Sequence, residues 1–127
     1  MALQALAYPI PPGRTDDWRR FMAELNGPRR GEYDASQQRV GLHSWVFLQQ
    51  TPQGDLVLVI SEGAEPARAL HQMWTGDDAF TNWFVEQVKD IHGIDLREPP
   101  PGPLPELVLD SGPAMRPAAT SPSSRAS

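Results

Sequence analysis

Hydrophobic positions recur along this chain with two alternating periods. Residues 2–8 form a short apolar run halted by Pro9, Pro11, Pro12 and Gly13, which predicts a first strand and a turn. Trp18, Phe21, Met22 and Leu25 then follow at i, i+3, i+4 and i+7, one helical stripe turned towards a core. Thr15 stands where an N-cap is expected, and Asp16 and Asp17 occupy the first turn, where the helix dipole favours carboxylates. Gly27 and Pro28 interrupt this helix, and a proline at the first position of a turn can restart one. A second, polar helical piece is predicted over 29–40, with Tyr33, Ala35 and Val40 as its apolar surface and Gly41 as its stop.

The period changes to two over residues 42–51 and 55–61, with Pro52, Gln53 and Gly54 between them as a turn of hairpin length. In the first of these strands His43, Trp45, Phe47 and Gln49 share one face, and Leu42, Ser44, Val46 and Leu48 share the other. The second strand contains Leu56, Val57, Leu58, Val59 and Ile60 without a polar member. Both faces of this hairpin therefore need cover. Helices supply one cover, and a second copy of the same sheet is the economical candidate for the other.

Beyond Gly63 the helical period returns. Pro66 suits a first turn, Leu70, Met73 and Trp74 point inward, and Thr75 and Gly76 end the segment. Asp77 or Asp78 is expected to cap a further helix whose stripe is Phe80, Trp83, Phe84, Val88 and Ile91, closed by His92 and Gly93. A fourth strand is expected at 106–109, brought to a sheet edge by the stiff run Pro99, Pro100 and Pro101. The order strand, broken helix, strand, strand, broken helix, strand predicts an α+β fold, a ferredoxin-like βαββαβ sandwich with an antiparallel sheet, paired sheet to sheet as a dimeric α/β barrel. It occupies residues 1–110, and 111–127, rich in Pro, Ser and Ala, is expected to be a disordered tail.

Composition narrows the function classes. A formal charge of −5 argues against a nucleic-acid surface, and the two arginine pairs, Arg19-Arg20 and Arg29-Arg30, sit among Asp16, Asp17, Glu24, Glu32 and Asp34 as expected for solvated helix faces. The absence of cysteine removes disulfides, thiolate nucleophiles and cysteine-ligated metals. The three histidines lack metal-ligand spacing, and no phosphate-binding glycine loop or nucleophile elbow occurs. No metal and no cofactor are expected. Neither a leader segment nor an apolar run near the ~18 residues of a membrane span is present, so a cytoplasmic protein with no membrane partner is expected.

With its doubly apolar strands, the pattern over about 2–110 resembles the dimeric α/β-barrel superfamily, the group of antibiotic-biosynthesis-type monooxygenases, haem-degrading monooxygenases, muconolactone isomerases and many uncharacterised chains. The spacing of Trp74, Phe80 and Trp83 is similar to that of bacterial haem-degrading members, and the resemblance implies that Trp83 would lie against a haem face. The family's axial histidine, however, aligns with Gly93, one residue past His92, and residues 2–10 lack the family's first-strand asparagine. A haem-dependent activity is therefore not the expectation.

Three readings stay open. The first is a homodimer that binds a small apolar or aromatic molecule between sheet and helices, with Tyr33, His43, Trp45, His71, Trp74, Trp83 and His92 as candidate ligand-binding residues. The second is an oxygenase- or isomerase-type enzyme of the same superfamily. The third is a structural or interaction protein whose aromatics are all core and whose segment 100–105 docks in a partner's aromatic groove.

Overall fold

The computed structural model describes residues 1–111. The tail predicted from 111 onward therefore lies, apart from its first residue, outside the described residues. Seven elements follow in order among the described residues: β1 Ala2–Ile10, α1 Thr15–Asn26, α2 Arg30–Arg39, β2 His43–Thr51, β3 Gly54–Gly63, α3 Pro66–Trp74 and α4 Ala79–His92. The architecture is α+β, a three-stranded antiparallel sheet in the order β1-β3-β2 with four helices. No helix among the described residues is long and apolar enough to cross a membrane.

The central strand β3 carries the register. Tyr8 pairs with Val57 and Leu6 with Val59 on one side of it, and Leu48 pairs with Val57 and Val46 with Val59 on the other. Because alternate residues share a face, Leu6, Tyr8 and Ile10 join Ser44, Val46, Leu48, Val57, Val59 and Ser61 on the helix side. Trp18, Phe21 and Leu25 of α1 and Phe80, Val88 and Ile91 of α4 close over this side with Ile10 and Val57 as one buried cluster. Leu6, Leu42, Ala69, Leu70 and Met73 form a second cluster beneath α3.

The opposite face has no cover among the described residues. Leu3, Ala5, Ala7 and Pro9 lie beside Glu62, Ile60, Leu58 and Leu56, which pair in turn with His43, Trp45, Phe47 and Gln49. Leu3, Trp45 and Phe47 remain 46%, 40% and 55% exposed.

Two local expectations are corrected, and a third is narrowed to one of its two residues. Thr15 does not cap α1; its hydroxyl donates to Asp55 Oδ2 at 2.7 Å, which ties the helix start to the hairpin end. Asp78 caps α4, accepting from the Thr81 amide at 3.0 Å, so the second of the two aspartates does the capping. Residues 106–109 form no strand. Leu107, Val108 and Leu109 are exposed, and the chain leaves the sheet after Gln4 donates to the Pro105 carbonyl at 3.1 Å. Five prolines between 99 and 105 cannot donate to a ladder, so this arm passes the β1 edge without pairing to it.

Candidate functional site

A cavity of about 80 Å³ lies between the helix side of the sheet and the helices. Its wall is mostly apolar, built from core residues such as Trp18, Phe21, Val57, Val59, Leu70 and Val88. Seven of the lining side chains carry N–H or O–H groups: Tyr8 from β1, Trp18 from α1, Tyr33 and Gln37 from α2, Ser44 from β2, Trp74 from the end of α3 and His92 from the end of α4.

Several of these polar groups have a weak protein partner or none among the described residues. Gln37 is 7% exposed, and its amide nitrogen reaches only the thioether of Met73, a weak acceptor, at 3.4 Å. Its amide oxygen has no hydrogen bond among the described residues. The Tyr8 and Tyr33 hydroxyls have none either. Burial pushes the Tyr8 phenol up to about 12. It also raises that of Tyr33, helped by the Asp34 charge and opposed by Arg30. Both phenols are neutral near pH 7 and offer an O–H donor.

His92 is held in one orientation. Its Nδ1 lies 2.9 Å from the Pro9 carbonyl oxygen, which only accepts, so Nδ1 carries the proton and Nε2 keeps a lone pair. Nε2 has no protein partner among the described residues. Desolvation holds the imidazole below its ordinary pKa, with the hydrogen bond to Pro9 opposing this and the Arg14 charge adding to it. The ring centroid is 5.7 Å from that of Tyr8. Gly93, at φ +73°, ends α4 in the left-handed conformation just beyond it.

The cavity continues outward into a cleft of about 570 Å³ between α1, α2 and β2. Trp18, Met22, Leu25, Tyr33, Ser44 and Val46 line both spaces. Arg19, Asn26 and Arg30 stand on the walls of the cleft.

Of the candidates read from the sequence, the structure brings Tyr33, Trp74 and His92 together on this cavity. The others lie elsewhere. His43 and Trp45 stack with centroids 4.1 Å apart on the uncovered sheet face. His71 is on the exposed side of α3, against a groove formed with the proline arm. Trp83 packs edge-on to Phe21 and lies beneath the Arg29 guanidinium, 4.0 Å from its ring centroid. Tyr8, Gln37 and Ser44 were missed. Tyr8 shares the period-two face of Leu6 and Ile10, a signal present in the sequence; nothing marks Gln37, because its burial depends on α3 crossing α2.

Among the described residues no group of three or more histidines or carboxylates is placed to hold a metal. Comparison with protein-family models, with curated proteins and with solved structures finds no match to this chain.

Proposed function

We propose that this chain binds a small apolar or aromatic molecule in the cavity between sheet and helices, and works as a homodimer joined through its uncovered sheet face. The observation that carries the binding reading is the set of unpartnered polar groups on an apolar wall. A buried polar group left without a hydrogen bond costs about 1–3 kcal/mol. Gln37 is such a group, and the hydroxyls of the half-buried Tyr8 and Tyr33 lack a protein partner among the described residues, so a ligand with one or two polar atoms would pair with them while filling apolar space. Exposed Leu3, Trp45 and Phe47 support the dimer, because a flat apolar face can meet its own copy about a two-fold axis.

Naphthalene titration, followed by quenching of Trp18 and Trp74 fluorescence, tests the binding reading. Val46 lines both cavity and cleft and is 40% exposed, so Val46→Trp plugs the passage without overpacking the core. Saturable quenching that weakens about tenfold or more in the folded variant supports the reading; quenching unchanged by the plug counts against it.

One observation favours a second reading, an isomerase- or monooxygenase-type enzyme of the dimeric α/β-barrel kind. His92 presents a neutral, oriented imidazole with an unused Nε2 beside the Tyr8 ring, the arrangement a general base needs. Turnover of a cavity-bound aromatic substrate that vanishes in His92→Gln, with binding retained, would select this reading.

A further inference from the structure

The cleft that leads to the cavity differs in charge from the rest of the molecule. The chain carries a formal charge of −5. The cleft, in contrast, is lined by two guanidiniums and the Asn26 amide, and by no carboxylate. Resting on the binding reading above, we propose that the ligand is an amphipathic anion, an aromatic body carrying a carboxylate or similar group, whose ring enters the cavity while its charge stays in the cleft with Arg19 and Arg30.

Three features support this placement. Tyr33 belongs to both spaces and feels the Arg30 charge, so the cationic mouth and the apolar cavity are continuous. The present partners of the two arginines are weak competitors. Arg30 pairs with Asp34 at 2.9 Å, with both side chains about half exposed, and exposed pairs of this kind are worth ~1 kcal/mol or less. Among the described residues Arg19 has no carboxylate within ion-pair distance and interacts at longer range with Asp55. The inner end of the cavity, finally, offers no cation. Its polar groups are neutral phenols, an amide, a hydroxyl, two indoles and a desolvated imidazole, so an anionic group is favoured at the mouth and not at the far wall.

A matched pair of probes tests the charge alone: naphthalene-2-carboxylate and naphthalene-2-carboxamide, titrated against the full-length protein and against Arg19→Gln/Arg30→Gln, with thermal melts confirming that the variant is folded. The carboxylate is expected to bind about fivefold or more tighter. That advantage should shrink to within about twofold in the double variant and at high salt, where exposed charges are screened, while carboxamide binding holds steady. Equal affinity for the two probes, or an advantage that survives loss of both arginines, overturns this proposal and leaves the cavity reading standing. Failure of both probes to bind overturns the two together.

Discussion

The Nδ1 atom of His92 sits 2.9 Å from the carbonyl oxygen of Pro9, joining the end of α4 to the last turn-ward residues of β1. The bond sets the imidazole tautomer and puts a neutral base on the cavity wall. It also makes the fold sensitive to pH. His92 has a folded pKa below the ordinary value of about 6.5, so the unfolded chain binds the proton more readily. Stability is therefore full above that ordinary value and declines as pH falls from it towards the folded pKa. In His92→Gln this decline should be absent, leaving only the losses at lower pH where Asp17, Asp55 and Asp78, all held below the usual carboxylate range by their hydrogen bonds, take up protons. Urea midpoints between pH 5 and 8 for both proteins check this.

Gln37 separates binding from stability. Gln37→Met removes an amide whose oxygen has no partner and keeps a flexible group against Met73. The variant should be as stable as the parent or more so, by about 1 kcal/mol, and should bind 6-hydroxynaphthalene-2-carboxylate, whose hydroxyl enters the cavity with the ring, several-fold more weakly. A variant that loses stability without losing affinity would show that the amide serves packing.

Trp74 and Trp83, both site candidates in the sequence, face different surroundings. Trp74→Phe should change probe affinity and Trp83→Phe should leave it within about twofold. Arg29→Ala, which removes the cation above the Trp83 ring, should cost about 0.5–1 kcal/mol and also spare binding. Thermal melts and probe titrations on the three variants read both effects.

Arg97 braces the loop between α3 and α4, donating to the Trp74 carbonyl at 2.7 Å, the Gly76 carbonyl at 2.8 Å and Asn82 Oδ1 at 2.8 Å. Arg97→Ala should cost about 1 kcal/mol, tempered by its exposure, and speed amide exchange across residues 74–82.

The outer sheet face gives the dimer its test. Trp45→Glu and Phe47→Glu together should convert a dimer to a monomer with its helices intact, as read by light scattering and circular dichroism. A parent chain that is already monomeric at micromolar concentration would remove the dimer from the account.

How much was legible follows from where the pattern is one-sided. The stripe of Trp18, Phe21 and Leu25 has polar neighbours on its other faces, so its burial could be read directly, and α1 buries those three residues. In β2 both faces are apolar, so period two separates His43 and Trp45 from Ser44 and Val46 without saying which pair the helices cover. That ambiguity put His43 and Trp45 among the site candidates. Residues 106–109 are rich in strand-forming side chains, yet pairing depends on the course of the proline arm, which no local propensity records. Gln37 is buried by a neighbouring helix remote in sequence, and polar residues are read as exposed unless a tertiary contact overrides them.

Chemical-shift mapping of the ¹⁵N-labelled protein with naphthalene-2-carboxylate tests the cavity most directly. The account predicts saturable shifts centred on Tyr8, Trp18, Tyr33, Gln37, Val57 and His92, with the indole signal of Trp45 unmoved. Shifts confined to Trp45, Phe47 and the outer sheet face, or no shifts at all, would contradict it.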